Sequence, residues 1–338
     1  MSVSKEFLKG LPKAELHLHL EGTLEPELKL RLAQKNHVDI GQSTIEEVKA
    51  SYQFDSLTSF LMVYYPAMNV LQDEEDFCAL AVDYLKKAKD HNVKHCELFF
   101  DPQAHTSRGV PFETVINGYY KGIEIGREMG VDAHLIMCFL RDMSADSAME
   151  TWKAAQPYLN KILGIGLDSD ERDNPPLKFA EVFDLAKKKG VHVSMHCDID
   201  QINSIGHIYD VIHKIGVERI DHGTNIVEDP ALVDYVVDHK IGFTCCPVSN
   251  SFVTEDMKGR EMVYLLQRGA LVTVNSDDPA YFQSYISDDY YALATKYHLS
   301  EDDMIQIAKN SFNASWISEE AKKRYIRMID EYVASVRA

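Results

Sequence analysis

The chain has 338 residues, 45% of them hydrophobic and 26% charged, a composition suited to a globular protein with a substantial core. Disordered and collagen-like chains are thereby excluded. Asp and Glu outnumber Lys and Arg 53 to 35, for a formal net charge of −18; with no basic patch to offset it, polymeric nucleic acid is not an expected partner.

The opening stretch MSVSKEFLKGLPKAELHLHLEG has no apolar core flanked by positive charge and a small-residue cleavage site, so it does not read as a secretory signal. No transmembrane run occurs. Cys78, Cys96, Cys138, Cys197, Cys245 and Cys246 lie mostly in apolar, strand-like stretches without the spacing of a disulfide framework. Reduced thiols point to the cytoplasm. No repeat, low-complexity tract or linker divides the chain, and residues 1–338 are expected to form one domain.

Eight short apolar or β-branched runs bounded by turn residues alternate with segments of helical period. They are 14–20, 95–100, 134–140, 162–167, 191–197, 219–222, 242–246 and 271–275. This alternation predicts an α/β protein, a closed parallel (β/α)8 TIM barrel. The long interval of about 23–93 after the first run predicts a helical insertion over the barrel mouth. Its aromatic segment 51–71 reads first as helix core and second as the lining of a pocket for a flat ring. Beyond Ser300, a predicted N-cap, extra C-terminal helices should pack outside the barrel.

The chemistry is carried by polar residues that interrupt these runs. His17 and His19 sit two apart, so on an extended chain both imidazoles leave one face. His196 ends the fifth run, His222 the sixth, and Asp277 and Asp278 follow the eighth, at the strand ends where barrel enzymes build their sites. Three imidazoles (His17, His19, His196) and the Asp277 carboxylate make a mixed set suited to Zn2+, although other divalent transition metals accept it. Zinc lowers the pKa of a bound water to about 7, which points to hydrolysis. His222 is then placed to orient or deprotonate that water, and Asp278 to face a substrate. Asp168 and Ser169, after the fourth run, are equally readable as a turn or as substrate contacts. Asp221 should point to the opposite face from His222 by strand alternation, in a structural role. The segment His95-Cys96-Glu97 mimics half of the His-x-Glu signature of unrelated nucleobase deaminases, but no Pro-Cys-x-x-Cys accompanies it, so it reads as structural.

The runs LHLHLEGTLEPEL (16–28), MHC (195–197), ERIDHGTNIVED (218–229), CCPVSNSF (245–252) and VNSDDPAYF (274–282) resemble the adenosine/adenine deaminase family of the amidohydrolase superfamily, with the likeness spread over about residues 11–315. The resemblance implies zinc held by His17, His19, His196 and Asp277, with His222 beside the metal water and Asp278 on the purine ring. HLEGTLEPE (19–27), FFDPQAHTSRGV (99–110) and GLDSDERDNPP (166–176) look more like adenine deaminases than adenosine deaminases. Glu21 stands where adenosine-specific members usually carry an Asp that meets the ribose. The longer side chain suggests a free base, with adenine or an N6-substituted adenine as substrate, or else a carboxylate that merely supports the rim.

One departure matters. The family's catalytic Glu, three residues after the strand-five histidine, is Ile199 here. Three outcomes follow: Asp198 or Asp200 supplies the proton instead, the reaction is hydrolysis of a different bond, or the protein binds a purine without turning it over. Adenosine deamination is a further alternative.

Overall fold

The computed structural model describes residues 3–338. Its eight strands are β1 (Lys13–Glu15), β2 (Val93–Phe100), β3 (Asp132–Leu140), β4 (Ile162–Asp168), β5 (His192–Cys197), β6 (Arg219–His222), β7 (Gly242–Cys245) and β8 (Leu271–Val274), all parallel neighbours in that order. Each of the eight apolar runs overlaps one strand. Residues 16–20 lie beyond the short β1 because their pairing is mixed: Leu16 N–H donates to the Asn275 side chain at 2.8 Å, and closure onto the β8 end is made by Asp277 N–H to His17 O (3.2 Å) and His19 N–H to Asp277 O (3.0 Å). Helices surround the barrel, and the structure is a TIM barrel as the alternation predicts.

Between β1 and β2 the helices Pro26–Lys35, Ile45–Ser51 and Leu57–Ala67 precede a long helix, Glu74–Asp90. Reciprocal caps start three of these, at Thr44, Ser56 and Asp73. The predicted insertion of 23–93 therefore runs too far. Helix Glu74–Asp90 is the crossover a parallel βαβ unit requires, and it packs against the next outer helix, Phe112–Glu128. The approach is close: a Cβ at Gly122 would lie 2.6 Å from the Ala81 Cβ.

Ser300 caps helix Glu301–Asn313 with Asp303 in reciprocal contact. That helix lies on the barrel's outside, where its Ser311 hydroxyl accepts from Ala14 N–H (2.9 Å) and its Asn310 amide donates to Val272 O (3.1 Å). Among the described residues no helix is long and apolar enough to cross a membrane.

His95 and Glu97 lie toward the opening of the barrel opposite its C-terminal mouth. The buried Glu97 carboxylate pairs with Arg219 and His95 Nε2 (2.9 Å) and accepts Trp316 N–H (2.6 Å); His95 Nδ1 meets Asp132 at 2.9 Å. Burial alone would raise the Glu97 pKa, but Arg219 and His95 outweigh it and hold the group at about 2. Glu97→Ala leaves the Arg219 charge buried and unpaired, and is expected to cost about 3–5 kcal/mol in chemical denaturation. A loss below about 1 kcal/mol would contradict this role.

Candidate active site

At the C-terminal ends of the strands a cavity of about 250 Å³ is lined by His19, Asp101, Asp168, Ser169, His196, Asp198, Ile199, His222, Asp277 and Asp278, and roofed by Leu57, Phe60, Leu61, Tyr64 and Tyr65 of the insertion. Both readings of the aromatic segment hold at once, since Phe60 and Tyr64 are buried core residues that also face the cavity.

His17, fully buried, places Nε2 3.2 Å from Asp277 Oδ1, while His19 Nε2 lies 3.2 Å from His196 Nε2 and 3.4 Å from Asp277 Oδ1. The outward ring nitrogens each face an oxygen, and that of His17 is hydrogen-bonded. His17 Nδ1 reaches Thr244 O at 3.1 Å, which can only accept, so Nδ1 carries the proton and leaves the Nε2 lone pair free. His196 Nδ1 and His19 Nδ1 face Asp221 (3.5 Å) and Asp168 (3.4 Å). His17 Nε2 is buried with no hydrogen-bond partner. Oriented imidazoles with converging free nitrogens and one carboxylate are what a divalent metal requires, and these four residues fit one.

Asp221 departs from the alternation rule. It points inward, accepting from Ser194 Oγ (2.6 Å) and Thr244 Oγ1 (2.7 Å) beneath His196 and His17. The cause is at the next residue: His222 has φ +58°, a left-handed turn that ends the strand and swings its ring into the same mouth, 4.7 Å from the His17 ring. Asp277 repeats the device with φ +62°, so Asp277 and Asp278 both face the cavity. Burial and then the neighbouring His17 lower the His222 pKa to about 4, keeping its imidazole neutral and able to accept a proton. Asp278 is buried against Gly22. A Cβ there would fall 2.7 Å from the Asp278 Cα, so only glycine permits the approach.

The two candidates for the missing Glu are separated. Asp198 lines the cavity with Oδ2 buried and unpartnered; burial and then Glu171 raise its pKa well above the usual range. Its backbone N–H is fixed by Glu171 Oε2 at 2.5 Å, and Glu171 is itself held by His207 at 2.7 Å. Asp200 turns away (φ +56°), pairs with Lys258 at 2.8 Å, and does not line the cavity. Ile199 is buried on the wall.

Asp168 and Ser169 both line the cavity, with Ser169 Oγ and both Asp168 oxygens unpartnered. Burial raises Asp168 to about 7. Glu21 does not line it. It is fully buried and accepts from His105 Nε2 (2.9 Å), Tyr119 OH (2.8 Å) and Asp101 N–H (3.3 Å), so of the two roles read for it the geometry matches support of the rim. Sequence reasoning missed Asp101 and Glu171. Asp101 follows the FF that closes β2, the same strand-end position that singled out His196 and His222.

Comparison with known proteins agrees with this geometry. Residues 12–332 match the adenosine deaminase family. The chain is 46% identical over 337 residues to an uncharacterized deaminase of Schizosaccharomyces pombe, covering 99% of each chain. It is 44% identical over 333 residues to the adenine deaminase of Zymomonas mobilis, covering 98% of each. The crystal structure of the Arthrobacter aurescens adenine deaminase superposes with a TM-score of 0.92 at 39% identity, over 96% of this chain and 99% of that one. Fold, strand-end residues and full-length likeness lead to one conclusion: the chain belongs to the adenosine deaminase family.

Proposed function

We propose that this protein is a hydrolase that removes the exocyclic amine of adenine or an N6-substituted adenine, as the free base, to give hypoxanthine and ammonia or an amine. The observation that carries the reading is the set of three imidazoles and two consecutive carboxylates, Asp277 and Asp278, converging at the mouth beside a neutral His222. Full-length likeness to proteins named adenine deaminases supports the choice of base.

His17, His19, His196 and Asp277 would hold the metal, for which zinc suits the mixed nitrogen and oxygen donors. When bound, the ion supplies Lewis acidity and lowers the pKa of water to about 7. His222 takes the proton from the attacking water and holds the nucleophile in line. Asp198 gives a proton to the ring nitrogen as the adjoining carbon is attacked, a role its cavity position supports and the ion pair that turns Asp200 away does not. Asp278, with Oδ1 buried and unpartnered, accepts from the purine, and Asp168 and Ser169 meet its edge. The partner is thus a small purine, handled by one cytoplasmic domain spanning 1–338.

Ammonia release by the zinc-loaded protein, measured over adenine, N6-methyladenine, adenosine, cytosine and guanine, is expected to be fastest with an adenine-type base. Faster turnover of adenosine reverses the substrate assignment. Silence across the panel, with metal bound, marks Ile199 as the sign of a changed or lost reaction.

A further inference from the structure

Asp101 sits at the end of β2, 1% exposed, on the cavity wall. Its Oδ1 is buried without a hydrogen-bond partner. The backbone beneath it is built to hold it there. Its N–H is accepted by Glu21, whose carboxylate is in turn fixed by His105 and Tyr119, all fully buried. A buried acceptor left without a donor is costly, so such a group in a ligand cavity calls for an N–H or O–H brought by the ligand. Asp168 beside it is likewise without a hydrogen bond, with His19 Nδ1 at 3.4 Å; what sets Asp101 apart is the rigid backing of its backbone by Glu21.

We propose that Asp101 is the residue that selects a free base over a nucleoside, by accepting the ring N–H of the purine's imidazole ring. A free adenine carries one proton on that ring, and a sugar at N9 replaces it with carbon. A nucleoside therefore leaves Asp101 unpaired and has to place a sugar against a wall that Glu21, His105 and Tyr119 keep rigid. The selection ascribed to Glu21 from sequence thus passes to the residue it supports. This inference rests on the purine deaminase reading, and deepens it.

The test compares adenine with 9-methyladenine, which keeps the amine and loses the N9 proton. A site built around a substrate N–H rejects the analogue lacking it strongly, so the wild type should prefer adenine by at least about 100-fold in kcat/KM. Asp101→Ala should lower kcat/KM for adenine by a similar factor and change 9-methyladenine by less than about threefold, so that the preference collapses. Equal loss on both substrates, or a wild type that treats them alike, overturns the assignment. Equilibrium binding of the two bases, measured by calorimetry, should show the same preference even if no ammonia is released, which separates failure of this inference from failure of the deaminase reading. Asp101, Asp168 and His19 also lie close enough to share a cation. Two ions per chain in the wild type, falling to one in Asp101→Ala, would put a metal there and overturn the proposal.

Discussion

Asp198→Asn should lower turnover of an adenine-type base by about 10²–10⁴-fold, the usual contribution of a positioned general acid. Binding of the product hypoxanthine should change by less than about threefold, because the amide keeps the shape of the wall. The reason is placement. Asp198 brings a buried, unpartnered oxygen to the cavity where the family's Glu is replaced by Ile199, and Glu171 anchors its backbone at 2.5 Å. Asp200→Asn breaks an ion pair with Lys258 that lies outside the cavity lining, so steady-state rates should stay within about threefold of wild type. The opposite pattern, with Asp200→Asn inactive and Asp198→Asn active, moves the proton to Asp200 and requires the 198–201 turn to rearrange on binding.

Metal removal should be as severe. Chelation is expected to abolish ammonia release, and readdition of zinc to restore it. Asp277→Asn should reduce turnover at least about 10²–10³-fold, on the scale of losing one electrostatic contact to the transition state, and lower the metal retained after dialysis. Asp277 carries the only negative charge among the four residues assigned to the ion, and His17, His19 and His222 face it. In the free protein, burial would raise its pKa, but His17 and the other rings outweigh that and hold it ionised. Full activity in protein shown to be metal-free would end the assignment.

The barrel was legible because most strands fall in short apolar runs and several strand ends carry or precede a polar residue, such as Asp168, His222 and Asn275. His17, His19, His196, His222, Asp277 and Asp278 could be placed at one mouth for the same reason. What stayed open or failed was anything decided by a distant partner or by backbone handedness. Glu21 is turned from the cavity by His105 and Tyr119, 84 and 98 residues away, and Asp200 by Lys258, 58 residues on. Asp221 was assigned to the wrong face because alternation presumes an extended chain through His222, whose φ is +58°. The end of the insertion was misjudged because helical period alone does not say which helix is the crossover.

The left-handed turns at His222 and Asp277 also bear on how this protein can change over evolutionary time. A non-glycine residue in that conformation costs of order 1 kcal/mol or more, and glycine would relieve it. At both places the residue best for the fold is thus not the one best for the mouth. A glycine at either position therefore relieves the backbone while removing a side chain from the mouth.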